Sequence, residues 1–403
     1  MKTWLSDEDY CSYDDSVDLY LQRISIIGCD SLRHAFSAFV ARHLVHIKYL
    51  FIKDCLGMKV IVSKAKEEGE MDDGTIKFNE LKELELEDLP SLRSFYEFKS
   101  EVPHLFNYQD ACPNIKTLTL KDFKSTREIQ LWDLTIAQEH LQNVRLIGWQ
   151  VSTKVLSHHV KKSFRTICLQ NCGGFKHVID LDNAINVGEE QFIDVERLML
   201  YDLPELVSLR SKNLHEIEGF RSLKYIDIKN CPQMKSLLTH SMATTLQHLK
   251  KLVVESCEMI EEIIIIEENN INVVGEEKTT WQIEFSKLEY LVLINLPNLK
   301  NFCNDNRGSF RFLSLCEVRV KNCPKMKTFV SGQICFLPRM MRAVVGAKEF
   351  EITDLNAYFE ARKDEGSNHM MKIIQWADDF DRNKLHKRQY FGDFEDRQPH
   401  IYW

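Results

Sequence analysis

The chain has 403 residues, of which 44% are apolar and 28% are charged, and its formal net charge is −8. This composition predicts an ordered protein with a large buried core and argues against a mainly disordered one. The acidic balance provides no global positive field to hold a phosphate backbone or an anionic membrane surface. We therefore do not expect nucleic acid as a partner.

The chain opens with an acidic segment, residues 1–20, which lacks the apolar stretch of a secretory signal, and no apolar run approaches a membrane span. The twelve cysteines include no CxxC pair, and the sequence has no Asn-x-Ser/Thr sequon. This usage favours reduced thiols over an extracellular disulfide framework. The sequence thus predicts a soluble cytoplasmic or nucleocytoplasmic protein.

One apolar pattern, LxxLxLxx(C/L), recurs eleven times in residues 21–329. The fourth position of each copy serves as its marker, and successive markers are 23 to 39 residues apart. Positions 1, 4, 6 and 9 are apolar in every copy, and position 15, which is not used in the alignment, is apolar in every copy as well. The markers are Ile24, Leu50, Leu84, Leu118, Val144, Ile167, Leu198, Ile226, Leu252, Leu291 and Val318.

The LxL segment of each copy alternates with period two, which predicts a short strand with its leucines on one face. A single strand cannot bury that face, so successive copies must stack as a parallel sheet joined by return segments. The sequence therefore predicts an α/β fold, an irregular leucine-rich-repeat solenoid or horseshoe whose parallel β-sheet lines the concave face. We assign residues 21–332 to the solenoid, 333–360 to a cap-like region and 361–403 to a charged tail. The charged insertions 65–77 and 267–284 are expected to be loops.

Two further columns of the repeat have a structural interpretation. Position 8 is Gly, Asp, Asn or Ser in all copies, which is typical of a turn and competes with an interpretation as an acidic or metal site. Position 9 is often cysteine where other copies carry leucine, which indicates apolar packing and not metal binding. We assign no metal, no cofactor and no catalytic residue. The cysteines of this column are Cys29, Cys55, Cys172, Cys231, Cys257 and Cys323.

Several copies continue as CP-x-hydrophobic-Lys, at residues 231–235 and 323–327, or as LP-x-Leu, at residues 89–92 and 296–299. This alternation resembles the C-terminal region of plant coiled-coil nucleotide-binding leucine-rich-repeat disease-resistance proteins. The resemblance implies recognition of a pathogen effector or a modified host protein, or restraint of a receptor's nucleotide-binding domain. A phosphate loop is not found: residues 275–280 carry Lys278 and Thr279, but glutamate stands at Glu277 where glycine is needed.

The favoured function is a protein-interaction module of an intracellular plant immune receptor in truncated form. A substrate-recruiting adaptor of a ubiquitin ligase and a non-functional receptor fragment remain alternatives. No nucleophile elbow or HExxH motif is present, so we expect neither an enzyme nor a small-molecule substrate.

The partner is expected to bind the face opposite the leucines, where positions 3, 5 and 7 of all copies point together. Five residues on three adjacent strands are predicted to form an apolar surface, here called the concave patch: Tyr225, Val253, Tyr290, Val292 and Ile294. Monomers seldom leave such a surface bare. An alternative is that insertion 267–284 or another domain covers it. The remaining candidate residues of this face are Tyr49, Phe51, Met199 and Tyr201.

Overall fold

A computed structural model describes a large part of the repeat region and a few residues C-terminal to it. The predicted tail 361–403 and residues 1–19 of the acidic segment lie outside the described residues, so the division into segments stays a prediction. The described ranges are 20–63, 76–96, 112–122, 140–149, 163–179, 194–210, 220–266, 280–336, 341–345, 348–352 and residue 356.

The main element of the described chain is a 13-stranded sheet, in which each strand pairs with the corresponding strand of the next copy. All neighbouring pairs are parallel except the last one, which is antiparallel. Numbered along the chain, its strands are β1 (Arg23–Ile27), β3 (Tyr49–Lys53), β5 (Glu83–Glu87), β7 (Thr117–Lys121), β8 (Asn143–Ile147), β9 (Ser163–Gln170), β11 (Asp194–Tyr201), β13 (Tyr225–Lys229), β15 (Lys251–Glu255), β18 (Tyr290–Ile294), β21 (Glu317–Lys321), β23 (Met341–Val345) and β24 (Lys348–Ile352).

The register of this sheet agrees with the repeat alignment residue for residue. Each of the eleven markers is the direct partner of the next, from Ile24 opposite Leu50 to Leu291 opposite Val318. The predicted solenoid with a parallel sheet is therefore confirmed. The parallel ladder also continues beyond residue 332, because Val318 pairs with Ala343 of β23. The sequence pattern misses this strand because Lys348 stands at position 9.

The core lies behind the sheet and is built from the columns that the alignment identifies. No residue at positions 4 and 6 of the eleven copies is more than 5% exposed. Position 15 is buried in all nine described copies, while Ile129 and Val155 lie outside the described residues. At position 1, Leu21 of the first copy is exposed, because among the described residues no preceding copy covers it.

The return segments carry short strands of their own, which explains why position 15 is apolar: it is the inward-facing residue of these strands. Ala35, Ile61 and Phe95 are three examples. The small sheets are β2 (His34–Phe36) with β4 (Val60–Val62) and β6 (Ser94–Tyr96); β10 (His177–Ile179) with β12 (Ser208–Arg210); β14 (Ser236–Thr239) with β16 (Glu262–Ile265) and β19 (Asn301–Cys303); and β17 (Trp281–Phe285) with β20 (Gly308–Phe312) and β22 (Gln333–Phe336).

Strand β17 corrects one expectation, since the sequence pattern assigns residues 281–284 to a charged loop. Ile283 and Phe285 are fully buried and alternate with polar residues, so this end of the insertion packs as a strand. Residues 267–279 of that insertion, and residues 65–75 of the other, lie outside the described residues.

Two short helices complete the described elements, α1 (Ala38–His43) and α2 (His240–Thr245). Each begins after a hydroxyl residue that accepts a hydrogen bond from the backbone N–H three residues later, at 3.3 Å: Ser37 for α1 and Thr239 for α2. In the part of the chain that the structure describes, no helix is long and apolar enough to cross a membrane.

Position 8 is a left-handed turn in all eleven copies, which confirms the turn interpretation of this column. The nine Asp, Asn and Ser residues have φ between 49° and 55°, and Gly28 and Gly148 have φ of 67° and 66°. Asn and Asp tolerate this conformation better than other non-glycine residues. The backbone N–H of position 8 still reaches the next strand, as from Gly28 to the Lys53 carbonyl at 3.0 Å. In ten of the eleven copies the turn thus ends the strand without losing a ladder hydrogen bond.

Candidate protein-binding face

The nine candidate residues all occupy outward positions of the large sheet, but they form two separate groups. Tyr49 and Phe51 lie on β3, whereas the other seven lie on the consecutive strands β11, β13, β15 and β18. Four strands separate the two groups. At about 4.8 Å per strand, β3 and β11 are roughly 24 Å apart. The two groups therefore cannot contribute to one small contact.

The concave patch spans β13, β15 and β18, but Lys251 lies between its two tyrosines. Val253 is the in-register partner of Val292, and Lys251 is the partner of both Tyr225 and Tyr290. Exposure within the patch is uneven, however. Tyr290 is 42% exposed, whereas Val253 is only 7% exposed. Val253 lies between Asp227 of β13 and Val292 of β18, and the accessible part of the patch is centred on β18.

A cluster of polar side chains lies at the β11 side of the concave patch. The Tyr201 hydroxyl donates a hydrogen bond to Oδ2 of Asp227 at 2.9 Å, and Lys229 Nζ lies 3.8 Å from Oδ1 of the same carboxylate. Lys229 also approaches Glu255 at 3.7 Å. Burial raises the pKa of Asp227 above its usual value, although the nearby Lys229 ammonium acts in the opposite direction. Burial likewise lowers the pKa of Lys251, against the effect of Asp227.

Asp227 is a residue that sequence reasoning misses. It occupies position 5, a column that faces water by pattern, yet it is only 3% exposed. A single aspartate in a variable column carries no signal of burial. Its partner Tyr201 stands 26 positions earlier in the chain, at position 7 of the preceding copy, so the pair becomes visible only when the register of the strands is known.

Charged side chains also lie beside the candidate residues of β13 and β18. The Arg197 guanidinium lies 4.7 Å from the centroid of the Tyr225 ring, in cation–π geometry. Arg319, which pairs with Val292 in the sheet, forms a 2.8 Å ion pair with Glu317. The apolar centre is therefore bordered by charged residues that already have partners.

The N-terminal group has a different character, because polar contacts dominate it. The Tyr49 hydroxyl donates to Oε2 of Glu85 at 3.0 Å, and the Arg23 guanidinium lies 4.4 Å from the Tyr49 ring centroid. Burial and the Glu85 carboxylate raise the pKa of Tyr49. Phe51 is the in-register partner of Glu85, so its ring lies beside a charged residue and not beside an apolar one.

Three carboxylates of the N-terminal half come within 4.8 Å of one another, those of Glu87, Asp88 and Asp122. The Glu87 carboxylate forms ion pairs with Lys121 and Lys53, and Lys53 Nζ lies 3.0 Å from Glu87 Oε1. Burial disfavours the charged form of Glu87, but the two lysines outweigh it and hold its pKa below the usual value. Asp88 and Asp122 are position-8 turn residues. Lysine pairing and turn geometry thus account for the cluster without an ion.

The cysteine column packs as the sequence predicts. Cys55, Cys172, Cys231 and Cys257 are buried, and Cys29 and Cys323 are partly exposed. Burial raises the pKa of Cys172 to about 11. A thiol held in this way behaves as a small apolar side chain.

The fold and the face together define a leucine-rich-repeat solenoid, a class of scaffold that typically binds other proteins and is not catalytic. A family model described as "Plant disease resistance protein RPS2-like, leucine-rich repeats" matches residues 114–258 and 244–336. These matches span more than half of the chain, and the chain belongs to this family of leucine-rich-repeat regions. No curated protein matches the chain.

Proposed function

We propose that this chain is the protein-recognition module of an intracellular plant immune receptor and that the concave patch is its contact surface. The partner is a pathogen effector, a modified host protein or the nucleotide-binding domain of a receptor. The observation that carries the proposal is the group of apolar and aromatic side chains on β18, which is open to solvent at Tyr290 and has Val253 of β15 beside Val292.

The arrangement of this surface favours a protein as the partner. Binding energy at protein interfaces is concentrated in a few central residues, with Tyr, Trp and Arg enriched, and a polar rim surrounds them. The patch has Tyr290 and Val292 at its centre, and the Arg319–Glu317 pair lies on the neighbouring strand. The ion pairs of the rim already hold its charged side chains in place. Fewer side chains therefore lose conformational freedom when a partner binds.

The test is the double variant Tyr290→Ser/Val292→Ser, which removes the accessible centre of the patch. Since Tyr290 is exposed and Val292 is half-buried, the free energy of unfolding should change by only about 1 kcal/mol. Binding should fall more than tenfold, measured as capture of a partner from infected plant tissue and as the immune response of a receptor that carries the chain.

The matched control is Tyr49→Ser/Phe51→Ser, which changes the same two repeat positions on β3. We expect this variant to bind normally. If the β18 variant unfolds early, the patch is internal packing and the proposal fails. If that variant is stable and still captures the partner, recognition lies elsewhere on the solenoid. Loss of binding in the β3 variant alone would move the contact surface to the N-terminal group.

A further inference from the structure

Two pairs of cysteines occupy position 9 of adjacent copies: Cys29 with Cys55, and Cys231 with Cys257. In the first pair, the preceding strands are in register, because Ile27 pairs with Lys53. Each sulfur lies near the carbonyl two residues earlier, with Cys29 Sγ 3.5 Å from Ile27 O and Cys55 Sγ 3.2 Å from Lys53 O. The two thiols thus have the same local geometry, one strand apart.

The first two copies are in close contact at this level of the solenoid. A Cβ on Gly57 would lie 2.3 Å from the Asp30 carbonyl oxygen, and the Leu56 N–H donates to Oδ1 of Asp30 at 3.2 Å. Burial raises the pKa of the Cys55 thiol, and the nearby backbone N–H of Cys29 acts in the opposite direction. Neighbouring strands are separated by about 4.8 Å, and a disulfide requires Cα atoms roughly 4.4 to 6.8 Å apart. The backbone spacing therefore suits a covalent link.

We propose that Cys29 and Cys55 form an oxidation site at which hydrogen peroxide generates an intrachain disulfide. The Cys29 sulfur attacks the peroxide, the O–O bond breaks, and Cys29 becomes a sulfenic acid while one water is released. The Cys55 sulfur then attacks the sulfenic sulfur, the S–O bond breaks, and the S–S bond forms. The Cys55 proton leaves with the hydroxide as a second water. Two thiol sulfurs are oxidised and the two peroxide oxygens are reduced.

Solvent exposure distinguishes the Cys29–Cys55 pair from the Cys231–Cys257 pair. Cys29 is partly exposed, whereas Cys231 and Cys257 are both buried. Peroxide can therefore reach the first pair in the folded chain but not the second, and oxidation follows the exposure of the attacking thiol. Cys316 is exposed as well, but the residue beside it on the preceding copy is Glu289, whose carbonyl accepts from the Cys316 N–H at 2.8 Å.

The link would act at the edge of the described sheet. Strand β1 has a neighbour on one side only among the described residues, and its Ile27 is 56% exposed. Open strand edges fray and invite unwanted pairing. A disulfide from Cys29 to Cys55 fastens this first copy to the second, so oxidation would stabilise the N-terminal edge without any change at the concave patch.

The experiment treats the purified full chain with hydrogen peroxide, blocks the remaining thiols with an alkylating reagent and maps the linked peptides by mass spectrometry. We expect a Cys29–Cys55 disulfide that a dithiol reductant reverses, with Cys231 and Cys257 alkylated and unlinked. Oxidation of Cys29 without a link to Cys55 overturns the proposal. Equal linking of both pairs also overturns it, because access would then not decide which thiols react.

A variant isolates the second chemical step. In Cys55→Ala the sulfenic acid on Cys29 has no partner thiol, so labelling of Cys29 by a sulfenic-acid-specific dione should increase at least several-fold over the wild-type chain. Equal labelling of the two proteins would show that Cys55 does not resolve the intermediate. Should Cys55→Ala lose its native circular dichroism, the peptide map of the wild-type chain still decides the question.

Discussion

Replacing Cys231 with serine tests whether the ninth column is packed as an apolar layer. The Cys231 side chain is fully buried, with Sγ 3.8 Å from the Leu200 carbonyl oxygen and 3.5 Å from that of Lys229. The neighbouring Cys257 thiol and burial both raise the pKa of Cys231, so the group is a neutral thiol. The substitution keeps the shape of the side chain and exchanges a weak sulfur donor for a hydroxyl.

The structure indicates that this exchange lowers the free energy of unfolding. A carbon–oxygen bond is shorter than a carbon–sulfur bond, so the hydroxyl withdraws from both carbonyls, which already lie beyond the O–H···O distance of about 2.5 to 3.0 Å. A buried hydroxyl without a good partner costs about 1 to 3 kcal/mol. With a urea m-value of about 3 kcal/mol/M, a loss of 2 kcal/mol lowers the unfolding midpoint by roughly 0.7 M.

Urea unfolding followed by circular dichroism measures this effect, with Cys316→Ser as the matched control. Cys316 is exposed, so its replacement should move the midpoint by no more than roughly 0.2 M, in line with other surface substitutions. The two variants carry the same chemical change and differ in burial. Equal midpoints for both would refute the interpretation of the column as buried packing.

Two further changes test the turn column and the glutamate on β5. Ser256→Asn should stabilise the fold by about 0.5 to 1 kcal/mol, because asparagine suits φ of 55° better and can strengthen the long 3.5 Å contact from Asn295; in contrast, Ser256→Val should destabilise it, and the reverse order of melting temperatures would contradict the turn assignment. Glu87→Gln should cost about 1 to 3 kcal/mol at pH 7 by removing the charge that Lys53 and Lys121 bind. The folded-state pKa of Glu87 is depressed, so its contribution is complete above the unfolded pKa and is lost as pH falls through the lower folded value; a difference between wild type and variant that persists in strong acid would argue against the ion pairs.

The sequence predicts the large sheet because its columns repeat the same physical requirement in every copy. Each marker must be apolar to cover its neighbours, so the register follows from the alignment. The return strands are harder to predict, since most are three or four residues long and position 15 is the only repeat column that marks them. Strands β17, β20 and β22 contain no residue of that column. Strand β17 lies at the end of a charged insertion, and the copy that contains β23 has Lys348 at position 9, so in both cases the local pattern is too weak to separate strand from loop.

The candidate face is only partly predictable for a different reason. The alternation of apolar and polar residues along a strand predicts on which side of the sheet a residue lies. On an open face, however, the burial of that residue depends on the side chains of the adjacent strands. Val253 and Asp227 show this effect, because both face outward and both are less than 10% exposed. Their neighbours lie on other copies, 26 to 39 residues away in the chain, and the irregular repeat length conceals which side chains meet.

The contacts on the concave face also indicate which of the two candidate groups gains more from a partner. In the N-terminal group, Tyr49 already bonds to Glu85, and a partner that covers it must either leave that pair intact or desolvate a carboxylate. The patch around Tyr290 and Val292 loses little when it is covered, because the groups that leave water there are mainly apolar, and their burial is favourable at about 25 cal/mol per Å². Binding energy is therefore expected to concentrate on β18 and its neighbours, while the charged residues around Asp227 and on β5 keep the face rigid and select against partners of the wrong charge.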